Sequence, residues 1–114
     1  MPFRDNLTHL RDIVEGIERI ESFLGDMTLA AYRADPLRKS AVERQLQIIT
    51  EAAKRLGDDA YVLCPGQDCK GFCRMGDVLR HSYHNIDDEI VWDTVKDELP
   101  KMKEAALKVI GGGH

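Results

Sequence analysis

The chain has 114 residues, 43% of them hydrophobic and 32% charged, which describes one globular domain able to bury a core without disulfide or metal staples. No apolar run approaches the roughly 18 residues needed to span a bilayer, and MPFRDNLTHLRD is charged from its fourth residue, without the apolar core of a signal peptide; a cytoplasmic protein is expected. The net charge of −4 argues against a broadly basic phosphate-binding surface and leaves room for a small, locally basic site.

Leu7, Leu10, Val14, Ile17, Ile20 and Leu24 recur at three- and four-residue steps and predict an amphipathic first helix that stops at Gly25. The polar pair Met27-Thr28 and an extra turn, LAAYRA, lead to Asp35-Pro36, which reads as an N-cap followed by proline in the first helical position. Val42, Leu46, Ile49, Ala53 and Leu56 carry the next helix to Gly57. YVLCPGQDCKG is a loop with a Pro65-Gly66 turn, and a further helix is predicted from about Lys70 to Tyr83, with Phe72, Met75 and Leu79 on its apolar face. Ile90, Val91, Val95, Leu99, Met102, Ala106 and Val109 form the last amphipathic stretch, with a kink or break expected at Pro100. No period-two alternation is long enough for a strand. The expected architecture is an all-α antiparallel helical bundle of four to five helices, one domain over 1–110 with a frayed tail at 111–114.

Cys64, Cys69 and Cys73 fall within ten residues, and an odd count without an export signal argues against a disulfide framework. With His81 they would make four zinc ligands, but the paired C-x-x-C knuckle of structural zinc sites is missing, so free thiols and no metal are expected.

Chemistry concentrates in CRMGDVLRHSYHNID, residues 73 to 87. On a helix, positions four and seven apart lie close to one line, so Arg74, Asp77 and His81 share a stripe. Each lies about 200° from an apolar residue two positions earlier, so the stripe faces away from the subunit's own core. Arg80 and His84 form a second pair beside it. Read as surface, these are ordinary exposed ion pairs. Read as a site, an arginine holds a phosphate oxygen, His81 moves protons near neutral pH and Asp77 orients it. One histidine supplies half of an acid–base pair, and a two-fold dimer would supply both halves. Glu51 reads as a surface glutamate, Trp92 as packing between helices, and His9 and His114 support no role.

RMGDVLRHSYHNIDDEIVWDTVKDELPKMKEA, residues 74 to 105, resembles the HepT-like branch of the HEPN family. That family is marked by an arginine, four to six residues, a histidine, any residue and a tyrosine; Arg74, six residues, His81, Ser82 and Tyr83 fit. KSAVERQLQIITEAAKRL (39–56), IDDEIVW (86–92) and LPKM (99–102) are similar to the family as well, whereas the first helix matches only in period. The resemblance implies a HEPN-like helical homodimer acting as a metal-independent ribonuclease toxin. Its partner would be a nucleotidyltransferase antitoxin that attaches AMP to the motif tyrosine. Carried over, Arg74 and His81 are catalytic, Asp77 and Arg80 supporting, Tyr83 the modified residue, and no cofactor is needed. The chain departs from the family at Gly76, where many members place the arginine five positions before the histidine, so Arg80 competes with Arg74 for the phosphate contact. The CPGQDCKGFC stretch has no family counterpart.

Two other functions compete: a non-catalytic helical adaptor binding a nucleotidyltransferase or nucleotide, and a metal- or redox-responsive helical protein built on the three thiols.

Overall fold

The computed structural model describes residues 2–57, 59 and 87–112. The first helix, α1 (Pro2–Leu24), stops where expected: Gly25 takes a positive φ of 49°, and its N–H donates to the Glu21 carbonyl. A residue without a Cβ enters this conformation at no steric cost. Thr28 then caps the short α2 (Leu29–Arg33), its hydroxyl accepting from the Ala31 N–H at 3.1 Å. Asp35 caps α3 (Pro36–Leu56) in the same way through the Arg38 N–H, with Pro36 in the first turn, and α3 ends at Gly57, φ 58°.

The last helical stretch begins with α4 (Asp88–Asp93) and ends with α5 (Leu99–Gly112). Between them Thr94–Glu98 forms a π-helical turn, closed by the Leu99 N–H donating to the Thr94 carbonyl five residues back. Of the kink or break expected at Pro100, the break does not occur. Proline removes a donor and crowds the carbonyl four residues earlier. The wider turn immediately before it shifts the hydrogen-bond ladder by one residue, so helical structure runs on through the proline. Thr94 also donates its hydroxyl to the Ile90 carbonyl at 2.9 Å, inside the same turn. Among the described residues there is no strand, and the fold is an all-α bundle.

Polar contacts fix the helix directions. Asn6 on α1 donates to Asp59 beyond the end of α3, Gly16 lies against Gln45 and Ile49, and the Phe23 carbonyl accepts from Arg38. Numbers that rise on α1 therefore meet numbers that fall on α3, an antiparallel pair. Lys103 of α5 meets Glu18 and Glu21, while Val95, Lys96 and Pro100 lie beside Leu24 and Gly25, so this last stretch also runs antiparallel to α1. The core between them is built from Leu10, Ile13, Ile17, Ile20, Leu46 and Ile49 together with Leu99 and Met102, all at most 2% exposed. Truncating one such side chain to alanine costs about 2–5 kcal/mol.

Three positions depart from the periodicity. Ala52 rather than Ala53 is fully buried on α3, Leu7 is only half-buried, and Ile90 stands 50% exposed because Val91 occupies the inward position of α4. Lys39, near the start of α3, contacts Asp88 at the start of α4. Leu56, the last residue of α3, and Asp88, the first of α4, therefore lie at opposite ends of α3, about 26 Å apart along the helix at 1.5 Å per residue. No helix among the described residues is long and apolar enough to cross a membrane.

Candidate active site

Arg74, Asp77, Arg80, His81 and Tyr83 all lie outside the described residues, as do Cys64, Cys69, Cys73 and His84. The described residues do show the ground onto which that segment leads, the junction of α2, α3 and the start of α4.

Each residue at the start of α4 has its own polar anchor. Asp87 accepts from the Glu89 N–H at 2.9 Å, capping the helix from within. Asp88 pairs with Lys39 of α3 at 3.0 Å, with the two side chains only 18% and 29% exposed. Glu89 pairs with Arg33 of α2 at 3.6 Å, a looser and well-solvated contact. Asp88 and Glu89 also place negative charge in a first helical turn, where the backbone dipole favours it.

An aromatic layer lies beneath these pairs. Tyr32 of α2 is 1% exposed and meets Trp92 of α4 with ring centroids 5.6 Å apart, tilted at 43°. Lys96 places its ammonium 4.8 Å from the Trp92 ring centre, a cation–π contact. Trp92 thus packs between helices, as its sequence context suggests. The Tyr32 hydroxyl is buried with no hydrogen-bond partner among the described residues. Burial pushes its pKa well up, with Glu43 and Asp88 adding to the rise, so the phenol stays neutral at physiological pH.

Glu43 of α3 completes the junction. Burial raises its pKa, Lys39 pulls it back down and Asp88 pushes it up again. Lys39 therefore serves two carboxylates, Asp88 by direct contact and Glu43 through the field. None of Tyr32, Lys39, Glu43 and Asp88 stood out in the sequence, where they read as an ordinary aromatic and scattered surface charges. The i, i+4 spacing of Lys39 and Glu43 was the only available signal.

Other candidates carry less chemistry. Glu51 is exposed on α3, a surface glutamate. His9 is half-buried on α1, with Nδ1 unpartnered among the described residues. An open groove of about 490 Å³ between α1 and α5 is lined by Glu21, Pro100, Lys103, Glu104, Leu107 and Lys108. It holds no histidine, cysteine or tyrosine, so it has no group that moves a proton easily near pH 7. Lys103 there is held between Glu18 and Glu21, and the hydrogen bond to Glu21 raises its pKa.

Comparison with known proteins supplies the wider frame. The family model described as "Ribonuclease HepT-like" matches residues 13–109. A Methanocaldococcus jannaschii protein provisionally named an RNase is 37% identical over 98% of this chain and 95% of its own length. A Thermococcus cleftensis protein named "Probable ribonuclease HepT" is 36% identical over 88% of this chain and 91% of its own. A second M. jannaschii protein, whose name joins a gamma-glutamylcyclotransferase to a provisional RNase, is 33% identical over 94% of this chain but only 48% of its own length. No solved structure matches the chain.

Proposed function

Because the chain belongs to the HepT-like ribonuclease family, we propose that it is a metal-independent RNA endonuclease and the toxin of a toxin–antitoxin pair in the cytoplasm. The observation that carries this reading is the extent of the family match. It runs over residues 13–109 and so spans the whole Arg74-to-Tyr83 motif as well as α3, α4 and the π turn.

The chemistry asks little of the protein beyond proton transfer and charge. A general base takes the proton from an RNA 2′-hydroxyl, and the freed oxygen attacks the adjacent phosphorus. The bond to the 5′-oxygen breaks as a general acid protonates that leaving group, giving a 2′,3′-cyclic phosphate and a 5′-hydroxyl. His81 fills one proton-transfer role, and its copy in the second subunit of a homodimer fills the other. Arg74 or Arg80 holds the phosphate and offsets its developing charge, and Asp77 orients His81. The partner is a nucleotidyltransferase antitoxin that joins AMP to Tyr83 and so fills the phosphate pocket.

The test is His81→Ala in the full chain. RNA cleavage and growth inhibition should disappear while helical content and melting temperature hold, since the sequence predicts that His81 faces away from the core, where substitutions change stability by about 0.5 kcal/mol or less. Full cleavage in this variant would end the nuclease reading. A second reading, a non-catalytic adaptor binding the nucleotidyltransferase or nucleotide, draws on one observation: glycine, not arginine, stands five positions before His81. It requires partner binding to survive in a wild-type protein that cuts no RNA.

A further inference from the structure

The π turn leaves one backbone oxygen without a donor in its own helix. In an α-helix the Val95 carbonyl would accept from the Leu99 N–H, four residues on, but that N–H goes to Thr94. In a π ladder the donor would be the residue five on, and that residue is Pro100, which has no N–H. No turn or loop N–H among the described residues reaches this oxygen either. Val95 is buried, and an unpaired main-chain carbonyl in a folded interior is costly, so the oxygen calls for a partner from outside its helix.

Val95 stands in the wall of a cavity of about 170 Å³, with Lys96 and Pro100 from the same stretch and Glu21, Leu24 and Gly25 from the end of α1. Negative character gathers there. Glu21 gives one carboxylate oxygen, Oε1, to Lys103 at 2.9 Å and keeps Oε2 for another partner. Leu24 and Gly25 close α1, whose C-terminal end carries the negative pole of the helix dipole. The two neighbouring ammonium groups are committed elsewhere: Lys103 to Glu18 and Glu21, and Lys96 to the Trp92 ring, 4.8 Å from its centre. At about 30 Å³ per water, the cavity has room for an ion with several water molecules.

We propose that this cavity is a monovalent-cation site, in which the Val95 carbonyl and the Glu21 carboxylate hold a sodium or potassium ion that ties the end of α1 to the π turn. Oxygen ligands of this kind suit hard cations, and carbonyl oxygens can replace part of an ion's hydration shell. One free carboxylate oxygen beside two lysines favours a single positive charge. Calcium asks for about six to eight oxygen ligands, and magnesium gives up its water reluctantly. The ion takes no part in the RNA chemistry, and the site does not rest on the nuclease reading.

The experiment measures thermal unfolding of the full-length chain in sodium, potassium and choline chloride at equal ionic strength, for the wild type, Pro100→Ala and Glu21→Gln. Sodium NMR relaxation is followed in parallel as a direct readout of binding. The wild type should melt roughly 3–6 °C higher in sodium or potassium chloride than in choline chloride, the shift expected of a ligand present at several times its dissociation constant. It should also broaden the sodium signal, and added potassium should reverse the broadening. In Pro100→Ala the Val95 carbonyl gains a donor, from residue 100 in a π ladder or from Leu99 if the turn reverts to α, so both effects should disappear. In Glu21→Gln both should be largely lost. Equal melting in all three salts without sodium broadening would overturn the proposal, since water alone would then serve the carbonyl. A salt difference that persists undiminished in both variants would overturn it as well, placing the ion elsewhere. If Pro100→Ala does not fold, Glu21→Gln decides, because it leaves the π turn and the Lys103–Glu18 contact in place.

Discussion

Gly16 and Ile49 set a close approach of α1 to α3: a Cβ added at Gly16 would stand 2.7 Å from Ile49 Cγ1 and 3.1 Å from Cδ1. Alanine in mid-helix normally gains about 1 kcal/mol over glycine, yet overpacking a fitted core costs about 1–3 kcal/mol. Both atoms belong to a fully buried side chain, so the second effect should win. Gly16→Ala is expected to lose roughly 1–2 kcal/mol in urea denaturation. Ile49→Ala alone should cost about 2–5 kcal/mol, but the double variant should fall short of the sum by about 0.5 kcal/mol or more, because the truncated side chain vacates the space the new methyl needs. Strict additivity would show that the methyl finds room elsewhere.

Glu43 gives a prediction in pH. Its folded-state pKa is raised, chiefly by burial, so the neutral acid is favoured in the folded protein. A raised pKa means that the contribution to stability is fully present below the ordinary glutamate value near 4.5 and is lost as pH rises through the higher folded value. Glu43→Gln should therefore flatten the stability curve over that window. The variant should gain on the wild type as pH rises from near 4.5 through the raised folded-state value, read by denaturant melts at each pH. A constant difference across that range would mean that Lys39 fully offsets the burial.

These two sites show what the sequence could and could not convey. The ends of α1 and α3 were legible because Gly25, Asp35-Pro36 and Gly57 act on the backbone beside them. Trp92 was legible as packing because a large apolar ring at a helical position has little else to do. Pro100 misled because its penalty is local while its relief is not: the π turn at Thr94–Glu98 lies upstream and leaves no residue signature. Lys39–Asp88 was illegible because it joins two helices whose contact depends on the whole bundle. The motif is the converse case: residue types and family likeness single out Arg74, His81 and Tyr83, while the described residues fix only the helix that follows them.

The choice between two arginines can be made kinetically. On the helix that the sequence predicts, Arg74 would share the stripe of His81, whereas Arg80, its neighbour in sequence, would point about 100° away. Arg74→Ala is therefore expected to cost more in kcat than Arg80→Ala, with a loss of roughly a hundredfold or more if it holds charge in the transition state. The reverse order would hand the phosphate contact to Arg80. Cleavage by the wild type should persist in excess chelator, since proton transfer and arginine charge are the only chemistry required; loss of activity that magnesium restores would replace this mechanism with a metal-dependent one.

The proposed control through Tyr83 would act through charge. AMP joined to its phenol puts a bulky phosphodiester anion two residues from His81 and three from Arg80, where it competes with the RNA phosphate and repels incoming backbone. Co-expression with a nucleotidyltransferase encoded beside this chain, followed by intact-mass measurement, should reveal additions in units of AMP. They should vanish in Tyr83→Phe, and loss of cleavage should track their extent. The phenylalanine variant keeps the ring and loses only the acceptor oxygen, so it should still cut RNA while escaping inactivation. Equal silencing of Tyr83→Phe would mean that the partner acts by binding alone. In that case stoichiometric complex formation, rather than added mass, should account for the inhibition, and releasing the partner should restore cleavage without any enzyme to remove AMP.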